Sequence, residues 1–254
     1  MKVVSMRLQP TIARRRIGRR WSGAIVVFLS VAGFSAAGCA QQLAAAKAAV
    51  EEGRTTLDVG TLTDARAKLE SCLAVNPRDA GCAYELARDE MYLKQAEETA
   101  HNAAAARHWL DQAVTDAARA VELSPNIADA HALVAAIDSQ EISGMTSAMR
   151  YGPRVSAELA RALALDPNNA LAYSVMGRRC LYAPAMFGGD TEKAIQDFQR
   201  AVQSEPQSDE NYVWLAMAYW KKGDKVRAHQ AMDQALRLNG RSRFAQQVRA
   251  GWRE

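Results

Sequence analysis

An all-α array of repeated helical hairpins is the fold this sequence predicts, and three observations point to it. Four of the seven prolines close amphipathic helical stretches in one recurring context: Val75-Asn76-Pro77, Leu123-Ser124-Pro125, Leu165-Asp166-Pro167 and Ser204-Glu205-Pro206. Counting five and twelve residues back from each proline gives Cys72 and Ala65, Ala120 and Ala113, Ala162 and Val155, and Ala201 and Ala194. Small residues thus recur where paired helices must approach closely, and self-similarity at such a period is the mark of a repeat architecture. Composition agrees: 49% apolar and 24% charged residues over 254 positions exclude disorder and leave ample chain for a core, in one large or two small domains.

The chain opens on a segment of different character. Residues 1–38 carry seven basic side chains (Lys2, Arg7, Arg14, Arg15, Arg16, Arg19 and Arg20) and no acid. Without them, 25 basic residues face 28 acidic ones and the formal charge falls from +4 to −3. The basic excess belongs to this leader, so a nucleic-acid-binding reading, which needs a basic face on the folded part, loses its support. Arg14–Arg20, the apolar run Gly23–Phe34 and the small residues Ser35–Gly38 follow the order of an export signal. A run of about a dozen residues is short of the roughly 20 needed to span a bilayer. Ala36-Ala37-Gly38-Cys39 resembles the lipobox of bacterial lipoproteins, departing from it at Ala36, where Leu is usual. The resemblance implies lipidation of Cys39, and the competing reading is ordinary cleavage after Ala37 or Ala40. Either way the folded part lies outside the cytoplasm, with any membrane contact made through a lipid anchor alone.

After a short linker at 39–45, the repeats begin. Their spacing of small residues and prolines resembles the tetratricopeptide repeat (TPR), a 34-residue pair of antiparallel helices. In that register the units run 46–79, 80–127, 128–169, 170–208 and 209–242, together an array over 46–242. The first carries Gly53, Ala65, Leu69, Cys72 and Pro77, and the fifth carries Tyr212, Leu215, Ala216, Tyr219, Ala228, Met232 and Ala235. The resemblance implies a right-handed α-solenoid of about five helix-turn-helix units.

The three middle units exceed the 34-residue period. In the second, the sequence from Asp79 to Glu122 holds no proline and no glycine after Gly81. Its 14 extra residues divide as seven per helix, about two turns each, which keeps the apolar stripe in phase and predicts a projecting hairpin. In the third, Ser143-Gly144-Met145 and Tyr151-Gly152-Pro153 predict an irregular crossing. In the fourth, Leu181–Asp190 is a glycine-containing turn with Asp190 poised to cap the next helix. Its Tyr182, Met186 and Phe187 either fold back onto the array or meet a partner. Residues 243–254 form the capping helix that repeat arrays require.

Chemistry-bearing motifs are sparse. His101 and His108, the only close histidine pair, stand about two helical turns apart, too far to share a metal ion. Gly188-Gly189-Asp190 reads as a helix start rather than a phosphate loop. Paired acids such as Glu51-Glu52 and Glu97-Glu98 read as solvated helix faces. The expectation is a non-catalytic protein without cofactor or metal. Cys72 and Cys82 lie five residues either side of Pro77, so a hairpin sets them opposite one another as a disulfide or as two packed thiols. Cys180 is left without a partner.

In TPR arrays the first helices line a concave groove, and the resemblance carries Arg54, Tyr84, Arg88, Met91, Arg178, Val213, Met217 and Trp220 onto its ligand-facing positions, with Tyr92 adjacent. Arginines flanked by aromatics suit a peptide with acidic groups or a terminal carboxylate. The alternative is that these arginines pair with Glu85, Asp89 or Glu90. The predicted function is a peptide- or protein-binding scaffold of the bacterial cell envelope. A second reading rests on the leader, its cysteine, the helical repeats and the Gly-Gly-Asp start, which also resemble the T-component lipoproteins of tripartite ATP-independent periplasmic transporters. A deep pore would favour that solute-handling role, and an open groove would favour peptide binding.

Overall fold

The computed structural model describes residues 36–252. The leader expected over 1–38 lies outside these but for its last three residues, as do the Cys39 side chain and the end of the cap. Eleven α-helices and one short 3-10 turn make up the described residues, and no strand occurs among them. They pair as α1 (Ala36–Thr56) with α2 (Val59–Val75), α3 (Ala80–Thr99) with α4 (Ala103–Leu123), and α5 (Ala128–Gln140) with α6 (Met145–Leu165). Next come α7 (Ala170–Tyr182) with α8 (Thr191–Ser204), α9 (Asp209–Lys222) with α10 (Lys225–Leu238), and a final α11 (Arg243–Ala250). The protein is an all-α solenoid of TPR hairpins.

One turn design joins the units. Asn76, Ser124, Asp166 and Glu205 are the C-caps of α2, α4, α6 and α8, and each is followed by the proline that forbids another helical residue. Each C-cap carbonyl then accepts a hydrogen bond of 3.1–3.3 Å from the N–H three residues on, that of Asp79, Ile127, Asn169 or Ser208. The side chains of Asp79, Asn169 and Ser208 in turn accept from the N–H groups of Cys82, Ala172 and Asn211, capping the next helix. Within a hairpin, close approach is set at one equivalent position: Gly53, Ala87, Ala135, Gly177 and Ala216. A Cβ added at Gly53 would lie 2.4 Å from Leu62 Cδ2, and one at Gly177 would lie 2.7 Å from the Phe198 ring.

Three expectations need correction or refinement. The stretch 39–45 is part of α1 rather than a linker, because its alanines favour helix and Leu43 packs against the first-hairpin core. Tyr151-Gly152-Pro153 does not break the chain: α6 runs through it. Proline clashes with the Cβ of the residue before it in a helix, and Gly152 has none, which removes that part of the cost and leaves the missing hydrogen bond and the crowding of the ring against the Met149 carbonyl. The long second hairpin is braced rather than bare. Leu93 and Ala96 pack with Leu57 and Leu62, Lys94 Nζ donates to Gln140 at 3.1 Å, and Arg107 pairs with Glu141 at 2.9 Å.

The array bends until its two ends touch. Arg54 of α1 pairs with Asp209 of α9 at 2.9 Å, Asn239 after α10 donates to Thr55 Oγ1 at 3.1 Å, and Arg241 forms a two-pronged pair with Glu52. Asn239 also donates to the second Asp209 oxygen at 3.3 Å. The first helices therefore surround a central hollow instead of lining an open trough.

Candidate functional site

The hollow has a volume of about 1470 Å³, and Arg54, Tyr84, Arg88, Met91 and Arg178 line it as the sequence register predicts. Lys47, Asp129, Leu171 and Glu210, at the corresponding inward positions of their units, line it too. Val213, Met217 and Trp220 do not. Val213 is fully buried, and Met217 and Trp220 pack with Phe244, Val248 and Trp252 of the cap. Trp220 and Trp252 stack at 4.4 Å with planes 4° apart, and His229 meets both rings edge-on. The segment around α11 and Trp252 occupies that part of the α9 surface.

Sequence reasoning missed Trp214, Phe244 and Leu133 as lining residues. Trp214 stands one turn after Glu210, and its indole N–H donates to Glu210 Oε1 at 3.3 Å. That four-residue spacing from an inward position is the signal that would have found it.

Two of the three arginines are committed to carboxylates. Arg54 binds Glu51 at 2.8 Å as well as Asp209, and Arg88 binds Glu85 at 2.8 Å and also Glu51. Lys47 reaches Glu85 at 3.5 Å. Burial acts to raise the Glu51 pKa, yet Arg88 and Arg54 hold it below the ordinary carboxylate value. Tyr84 and Tyr92 are pushed up by burial, so both stay neutral hydroxyl donors at physiological pH. Asp89 and Glu90 face away from the hollow, and both are fully buried in the hairpin core.

The α7–α8 loop forms one side of the mouth. Tyr182, Met186 and Phe187 are 60%, 78% and 46% exposed, so they do not fold back into the core. Gly188, at φ 87°, supplies the left-handed residue of this turn. At Gly189 a Cβ would come 1.8 Å from the Ala183 carbonyl oxygen, and Asp190 accepts from Glu192 N and Lys193 N to start α8. Tyr182 and Phe187 line the hollow beside Ile142 and Met145 of the α5–α6 turn. A smaller polar recess of about 890 Å³, including Asp166, Asn169 and Arg200, shares Asp129 and Glu205 with it.

Cys72 and Cys82 are bonded, with Cα atoms 6.4 Å apart, whereas Cys180 is a half-buried thiol. With Asp79 the pair forms the only cluster of three potential metal ligands among the described residues, but its sulfurs are joined to each other and Asp79 Oδ1 caps α3.

Comparison with known proteins agrees with this architecture. The family described as Regulator of microtubule dynamics protein 1-3 (RMD1-3) matches residues 50–250. No curated protein matches the chain. Among solved structures, TTC0263, a thermophilic TPR protein from Thermus thermophilus, is 18% identical, with 81% of this chain and 95% of that chain covered and a TM-score of 0.59. The HusA haemophore from Porphyromonas gingivalis is 21% identical, with 74% and 96% covered and a TM-score of 0.54. These likenesses show the fold.

Proposed function

This chain belongs to the Regulator of microtubule dynamics protein 1-3 family, and we propose that it is a non-catalytic scaffold that receives a peptide or protein segment at its central hollow. The observation that carries this reading is the mouth. Tyr182 and Phe187 carry the apolar lining out to the rim beside the exposed Met186, and all three keep a large share of their surface open. Contiguous apolar surface around a concavity marks a place where another molecule docks. The family description names a regulatory role and no reaction.

The proposal places the protein in a bacterial cell envelope, exported and anchored by lipid at Cys39. The order of the leader and the likeness to a lipobox support that location, and a buried disulfide suits an oxidising compartment. The meeting of α1 with α9 and the cap favours a second reading, the handling of a small solute as in the T-component lipoproteins, because it turns a groove into a chamber.

Crosslinking in intact cells, followed by recovery and mass spectrometry, tests the proposal. The expected result is an envelope protein attached to the native chain and absent from a Met186→Ser/Phe187→Ser variant. Equal recovery by both would sink the docking role of the mouth. A chain that carries only a small molecule supports the solute reading.

A further inference from the structure

Four cations on the wall of the hollow are neutralised by side-chain carboxylates: Lys47 by Glu85, Arg54 by Asp209, Arg88 by Glu85 and Lys94 by Glu98, all within 3.5 Å, while Arg179 donates to Ser156 Oγ at 3.3 Å. Arg178 has no carboxylate partner and no hydrogen bond among the described residues. Its guanidinium lies over the Trp214 ring, 5.3 Å from the centroid. Tyr182 meets that ring edge-on at 6.3 Å, and Phe244 packs against it at 5.1 Å. The Glu210 charge on α9 acts on Arg178 without contacting it, and its oxygens are engaged by the Trp214 indole N–H at 3.3 Å and the Tyr92 hydroxyl at 3.5 Å.

A guanidinium drawn out of water without a counterion is unfavourable, and burial lowers the Arg178 pKa from its ordinary value. Lying over an indole uses the face of the group. It leaves the in-plane N–H donors available, in the fork geometry that matches one carboxylate with two parallel bonds. The fork of Arg178 matches the two oxygens of one carboxylate, and the nearby Glu210 charge disfavours a more highly charged group such as a phosphate dianion. Trp214, Tyr182, Phe187 and Phe244 supply an apolar surround of aromatic size.

We infer that Arg178 is the anchor for a single carboxylate carried on an aromatic or bulky apolar body. The C-terminal residue of a peptide and a free aryl carboxylate share that chemistry. The inference rests on the hollow being the binding face proposed above, and it narrows the expected acidic peptide to one carboxylate, since Arg54 and Arg88 are already paired.

Calorimetry on the folded chain tests it with three probes: an acetylated peptide ending in Leu-Phe with a free carboxylate, the same peptide amidated, and 3-phenylpropionate. The free acid is expected to bind roughly tenfold or more tighter than the amide, the worth of a charge-assisted pair. Arg178→Gln removes that preference, Arg178→Lys retains part of it, and Arg237→Gln, an exposed arginine of α10 that donates to Gln234 away from the hollow, leaves it intact. Circular dichroism confirms that each variant keeps its helicity. Phenylpropionate binding as well as the peptide identifies a free acid as the source, whereas peptide binding alone identifies a chain terminus. Equal affinity for acid and amide, a preference that survives Arg178→Gln, or no binding of any probe at millimolar concentration overturns the inference. An Arg178→Gln chain that still captures its protein partner by crosslinking separates this failure from failure of the scaffold reading.

Discussion

Replacing Asp89 by asparagine should stabilise the protein at neutral and alkaline pH and do almost nothing in acid. Asp89 lies on α3, fully buried, and neither of its carboxylate oxygens has a hydrogen-bond partner. Burial pushes its pKa from the ordinary 3.8 to about 8, against the pull of Arg66 and Arg88. In the unfolded chain the carboxyl ionises near its ordinary value, while the folded protein keeps the proton until about pH 8. The contribution to stability is therefore complete below pH 4 and is lost progressively as pH rises to 8. A displacement of that size corresponds to a ceiling on the order of 5 kcal/mol at pH 8. Asparagine keeps the shape and cannot ionise, so the difference between variant and native chain should open from near zero at pH 4 to several kcal/mol at pH 8. Urea unfolding followed by circular dichroism across pH 4–9, with the disulfide intact, measures that difference directly. Glu90 is likewise pushed up to about 8 by burial, with Asp89 adding to the shift, so losing the Asp89 charge also eases Glu90 ionisation and adds to the stabilisation with the same sign. Parallel curves for the two chains would refute the reasoning, because they would mean that Asp89 ionises in the fold as it does in water.

Two further outcomes follow from the packing. Reducing the Cys72–Cys82 bond, which spans a sequence separation of 10, should lower stability by roughly 2–3 kcal/mol, read as a drop in Tm on adding reductant to the native chain and not to a Cys72→Ala/Cys82→Ala control. Gly177→Ala should cost about 1–3 kcal/mol, since the new Cβ would lie 2.7 Å from the Phe198 ring, and Phe198→Leu in the same chain should recover part of the loss.

The hairpin architecture was legible because its requirements are local. A small residue must stand where two helices touch, and proline must stand just past a helix end, so Gly53, Gly177, Pro77 and Pro167 announce the fold within a few residues of their own position. The site was legible only in part. Inward positions such as Arg88 follow from the repeat register, and so does its local partner Glu85, but the distant partners do not: Asp209, which engages Arg54, lies 155 residues away and meets it only because the array curves on itself. Glu51, three residues before Arg54, signals one of its partners, whereas nothing near Arg178 in sequence tells that it will stay unpaired. Register alone does not reveal that Trp252 will stack on Trp220 and take it out of the groove. At Pro153 the breaker signal conceals the relief that Gly152 provides.

The contact between α1 and the α9–α11 end also fixes how this protein can change over generations. An array with separate ends gains or loses a unit at little cost, since each repeat touches only its neighbours. Here a duplicated or deleted hairpin would shift Asp209 and Asn239 away from Arg54 and Thr55, leaving Arg54 with Glu51 alone and the buried Asp209 without its arginine. Repeat number is thereby a selected quantity. Variation should accumulate in helix lengths and loops, as the long second hairpin and the glycine-containing turn of the fourth unit illustrate.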